Sequence, residues 1–181
     1  MNWFSKFFSN GILSGRWVGH YQQHGRSFPV EASFKHRGGK LFGTMFDLEP
    51  GHQQPLRAVL EETGHSDSDI SKFIDGVRSH FPDSLDGEIE YRAWLPEKSM
   101  IEGSVVENEL SFVKRYEGYH EIEYVLGGLA LPESIPCDLV EYTGKLSFDS
   151  ESISGNWTIA ASNGTEIELS GAFKLTRKSG R

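Results

Sequence analysis

A chain of 181 residues holds one well-packed core and is too short for two ordinary domains and a linker, so a single domain over 1–181 is expected. With 37% hydrophobic and 24% charged residues, twelve Phe, six Tyr and four Trp, it carries enough apolar material to offset ordering entropy, which excludes a disordered chain. A net charge of −8, with the acids scattered, opposes a phosphate backbone and excludes nucleic acid as the expected partner.

Trp3, Phe4, Phe7 and Phe8 fall at helical spacing and predict a short helix over 1–12 whose aromatic face buttresses the core. Ser5, Lys6, Ser9 and Asn10 interrupt the segment before a signal-peptide core forms, and no stretch reaches the length of a membrane span. The single cysteine, Cys137, excludes an internal disulfide framework and fits a reducing compartment, so the expected location is cytoplasmic.

From Gly15 onward the dominant period is two. Phe28, Val30, Ala32 and Phe34 alternate with Pro29, Glu31, Ser33 and Lys35, the pattern of a half-buried strand. The same test predicts strands near 15–23, 27–36, 40–48, 86–95, 98–106, 109–116, 119–126, 139–148, 152–161 and 166–177. Arg37-Gly38-Gly39, Glu107-Asn108, Asp149-Ser150 and Asn163-Gly164 supply turn chemistry, and such short connections imply antiparallel neighbours.

Between 49 and 85 the rhythm turns helical. Ile70, Phe73, Ile74 and Val77 form one stripe behind the capping acids of Ser66-Asp67-Ser68-Asp69, and a weaker helix runs from Pro55 to Thr63. This insertion after the third strand is expected to pack on the sheet or to cover a barrel mouth, with Phe73 and Val77 as lid residues.

Seven glycines stand two residues before a large apolar residue on one strand face: 15, 19, 43, 103, 144, 155 and 171. Glycine inside a strand weakens it unless the sheet bends sharply, and a closing barrel needs such bends in many strands at once. The expected fold is therefore mainly β, an antiparallel barrel of about 8–10 strands, with a two-sheet sandwich as the alternative.

Gly15-Arg16-Trp17 on the first strand, with Arg177 at the end of the last, resembles the calycins, the lipocalin and fatty-acid-binding-protein group of β-barrels. The resemblance implies that Arg177 lies across Trp17 and closes the barrel. It is one of architecture: the helical insertion follows the third strand here, not the first. Gly15-Arg16-Trp17-Val18-Gly19 is also similar to the start of haem-binding barrels, but all seven histidines lie at or before His120, where a late axial ligand has no counterpart.

No nucleophile elbow, phosphate loop or dinucleotide fingerprint is present, and neither a cofactor nor a metal is expected. His20 and His24 lie roughly 13 Å apart on an extended strand, too far to share an ion. Tyr21, Phe34, Met45, Tyr91, Phe112 and Tyr124 are inward by phase and either fill the barrel or line a cavity for an amphipathic ligand. The expected function is a non-enzymatic binding barrel for a small amphipathic or apolar molecule. The alternative is a protein-interaction module with a filled barrel, a homodimer through strand 40–48, whose Leu41, Phe42, Met45, Phe46 and Leu48 are apolar on both faces. An enzyme of unknown class is the third.

Overall fold

In the computed structural model, which describes residues 11–23, 25–159 and 169–178, the described residues form twelve strands and two helices. Eight strands close into an antiparallel barrel: β1 (Gly15–Gln23), β2 (Arg26–Arg37), β3 (Lys40–Asp47), β6 (Lys98–Val106), β7 (Glu109–Tyr116), β10 (Val140–Leu146), β11 (Ser152–Ile159) and β12 (Leu169–Arg177). Around the barrel the order is β1-β12-β11-β10-β7-β6-β3-β2. The seam is sealed by pairing the first strand with the last, Trp17 opposite Arg177 and Tyr21 opposite Phe173.

Closure explains the glycines. A Cβ on Gly103 would stand 2.1 Å from the Ser111 carbonyl oxygen, and one on Gly155 would stand 2.0 Å from that of Thr143. The strands coil so tightly there that backbone occupies the place of a side chain, and only glycine permits the approach. Inside, Trp17, Phe34, Phe112, Tyr142, Trp157, Phe173 and the aliphatic residues between them form one buried cluster.

The described residues divide into two compact units, the barrel and a second unit of Pro50–Leu95 with Tyr119–Pro136. The second unit contains β4 (Gly51–Pro55), α1 (Leu56–Glu62), α2 (Asp67–Arg78), β5 (Glu90–Trp94), β8 (Tyr119–Leu126) and β9 (Leu129–Pro136). Its sheet runs β4-β5-β8-β9, and Leu56, Leu60, Ile70, Phe81, Ile89 and Leu126 form its core. α2 begins as its sequence implies, with the Ser66 hydroxyl accepting from the Asp69 amide at 3.3 Å and Asp67 and Asp69 in the first turn.

One expectation is corrected here. The strands expected near 86–95 and 119–126 are not barrel staves; they are β5 and β8, the middle of the separate sheet. β4 and β9, which flank them, escape the alternation test because Gly-His-Gln-Gln-Pro has no apolar phase and Leu-Ala-Leu-Pro-Glu-Ser-Ile-Pro carries two prolines. The helix expected over 1–12 falls, but for Gly11 and Ile12, outside the described residues, as do His24 and the Asn163-Gly164 turn.

Candidate polar site at one end of the barrel

β7 alternates Leu110, Phe112, Lys114 and Tyr116 toward the interior, so its phase carries a lysine into a hydrophobic barrel. β3 does the same with an acid: Leu41, Gly43 and Met45 lead inward to Asp47 at the strand end. β6 lies between β3 and β7, pairing with both, and the two side chains meet inside. Lys114 Nζ donates to Asp47 Oδ1 at 2.9 Å and Oδ2 at 2.7 Å, and to Tyr116 Oη at 2.7 Å. The two side chains retain 1% and 3% of their exposure.

Aromatic rings surround the pair. Nζ lies 4.3 Å from the Tyr116 ring centroid and 5.7 Å from that of Tyr21, within reach of the negative face of each ring. Tyr21 stacks on Phe28 at 5.1 Å and meets Trp157 edge-on at 5.9 Å. Burial first, and then the negative charge of Asp47, hold the Tyr21, Tyr116 and Tyr142 phenols above the ordinary tyrosine range, so all three stay protonated. Burial also pushes the Lys114 ammonium below the usual lysine value, against the pull of Asp47.

Away from this end the interior is packed ring on ring. Trp17 meets Phe34 at 6.2 Å, Phe34 meets Phe112 at 5.8 Å, and Phe112 stacks on Tyr142 at 4.6 Å. Of the residues expected inside, Phe34, Met45 and Phe112 belong to this packed core, and Tyr21 stands at the polar end. Tyr91 and Tyr124 do not join them. They face each other on β5 and β8 of the second unit, centroids 6.0 Å apart, where burial and Glu133 push Tyr124 up to about 12.

The lid residues also lie in the second unit. Ile70 is buried in its core and Ile74 and Val77 pack against it, while Phe73, on the same helix, is 44% exposed with its ring 6.3 Å from Tyr124. The Arg177 guanidinium carbon lies 4.5 Å from the centroid of the Trp17 ring. On the outer wall, Phe42, Phe46, Leu48 and Met100 are exposed.

Lys114, Asp47 and Tyr116 carry the site and were absent from the residues expected of it. Their signal is legible: a lysine in phase with Leu110 and Phe112, and an aspartate in phase with Leu41 and Met45, each occupy a core position. His36 is a further case, buried on the inward phase of β2 with neither ring nitrogen bonded among the described residues. Among those residues no three His, Cys, Asp or Glu side chains assemble into a metal site, and no helix is long and apolar enough to cross a membrane. Compared with protein-family models, curated proteins and solved structures, the chain matches none.

Proposed function

We propose that the barrel is a calycin-like binding module, cytoplasmic and non-enzymatic, that takes a small, partly apolar molecule at the end occupied by Lys114 and Asp47. The observation that supports it is the gathering of a buried ion pair with the protonated phenols of Tyr21 and Tyr116 at one end of a mainly apolar interior. Well-packed apolar residues of similar volume stabilise a fold as well as a buried ion pair or better, so stability alone does not call for one here. A ligand with a polar head meets ammonium, carboxylate and hydroxyl groups at this end, and its apolar part meets Tyr21, Phe28 and Trp157.

Native mass spectrometry of protein purified from its own source, together with titration by a hydrophobic fluorescent probe, tests this reading. A retained small molecule, or stoichiometric probe binding weakened by Tyr21→Ala, is the expected result. A ligand-free mass with no probe bound overturns it.

A second reading rests on a separate observation. Phe42, Phe46 and Leu48 are 41%, 38% and 55% exposed on or just beyond β3, with Met100 on the neighbouring β6, apolar side chains set among the charged cross-strand neighbours Glu31, Lys35, Lys98 and Glu102, a face that suits a second copy of the chain. Sedimentation at micromolar concentration decides it: a dimer dispersed by Phe42→Ser with Phe46→Ser supports the interaction module, and a monomer removes it.

A further inference from the structure

We propose that Lys114 is a nucleophilic amine that captures a small aldehyde or ketone reversibly as an imine, with Asp47 relaying protons and Tyr116 donating to the carbonyl oxygen. This rests on the barrel-end binding reading and names the chemical class of its ligand.

The geometry carries it. Nζ is bracketed by a carboxylate at 2.7 and 2.9 Å and a phenol oxygen at 2.7 Å, which are the proton acceptor and the donor that imine formation needs beside an amine. Water is excluded from the pair, so transfer of one proton from Nζ to Asp47, which gives a neutral amine and a neutral acid, relieves the desolvation of two charges at once. Burial weakens the hold of Nζ on its proton in the same direction. Tyr21 and Tyr116, whose rings flank Nζ, are only partly buried, while Lys114 is fully buried.

The step balances. Asp47 takes a proton from the ammonium, and the freed lone pair attacks the carbonyl carbon. A C–N bond forms while the π pair moves to oxygen, which accepts a hydrogen bond from Tyr116 and the proton held on Asp47. Asp47 then takes a second proton from nitrogen and delivers it to the departing hydroxyl, which leaves as water as the C=N bond forms. The sum is ammonium plus carbonyl giving protonated imine plus water, with no oxidant or reductant. Because the imine nitrogen keeps the positive charge, Asp47 remains paired, which favours capture over any product that would leave a buried carboxylate alone.

The test uses the full-length protein with pentanal and cyanoborohydride at neutral pH, which reduces any imine to a stable secondary amine, followed by peptide mapping. Lys72 and Lys145, whose side chains are 76% and 68% exposed, are internal references for ordinary lysine reactivity. Lys114 is expected to be alkylated at least about tenfold faster than either, with Tyr116→Phe slowing Lys114 alone by about tenfold or more. The paired variant Asp47→Leu with Lys114→Met, which leaves no lone buried charge, is expected to lose the fast site and stay folded. Lys114 slower than Lys72 while a fluorescent probe still binds overturns the imine and leaves the binding reading standing. Lys114 inert with no probe bound overturns both.

Discussion

The Arg177 guanidinium carbon stands 4.5 Å from the centroid of the Trp17 ring, on a residue that is also the cross-strand neighbour of Trp17 at the barrel seam. The same guanidinium donates to the carbonyl oxygens of Ser14, at 3.0 Å, and of Ile12, while the Trp17 indole donates to that of Leu13 at 2.9 Å. One arginine thus ties the chain entering the first strand to the end of the last. Trp17→Ala is expected to destabilise the protein by about 3–5 kcal/mol as a large core truncation. Arg177→Lys is expected to fall short of the native protein as well, since an ammonium cannot reproduce the planar fork. Urea unfolding monitored by circular dichroism measures both.

The buried ion pair predicts an asymmetry between single and paired substitutions. Lys114→Met alone strands the Asp47 carboxylate in the barrel and is expected to cost about 3–5 kcal/mol. Asp47→Leu combined with Lys114→Met is expected to recover most of that loss, because no desolvated charge remains. A paired variant no more stable than Lys114→Met would show that the pair holds the fold by more than its charges. Equilibrium unfolding of the four proteins in one cycle gives the answer.

His36 sets a pH dependence with a definite sign. Burial holds the imidazole below its ordinary value of 6.5, so between that value and the lowered one the unfolded chain binds more protons than the folded one. Stability therefore rises with pH across that window. The contribution of neutral His36 is fully present above about pH 6.5 and is lost as pH falls toward the lowered value. His36→Leu is expected to flatten this part of the stability profile, read as melting temperature against pH, and an unchanged slope would remove His36 as its cause.

Two glycines are expected to respond to alanine in opposite ways. A Cβ on Gly155 would be driven to 2.0 Å from the Thr143 carbonyl oxygen, backbone that cannot step aside without opening the β10–β11 pairing. Gly155→Ala is expected to destabilise by about 1–3 kcal/mol or more. Gly76 lies within α2 with nothing within 4 Å of the added carbon, and Gly76→Ala is expected to stabilise by roughly 0.5–1 kcal/mol through helix propensity. Denaturant midpoints measured side by side distinguish barrel closure from a general intolerance of glycine replacement.

Alternation is a property of neighbouring residues, and so much of the fold is legible in the sequence. The faces of β2 and β12, the helical stripe from Ile70 to Val77, the glycines of a closing barrel and the inward phase of Arg177 all follow from periods of two or 3.6 and from the side chains themselves. The choice of partner does not. The strands of Tyr91 and Tyr124 alternate like barrel staves, yet they pair with each other and with β4 and β9 in a separate sheet, because alternation specifies a buried face and not what buries it. The same holds for the site. Lys114 and Asp47 each announce a charge at a core position, but only the arrangement of β3, β6 and β7 brings them together across 67 residues, since a charge survives burial only where tertiary structure supplies its counterion.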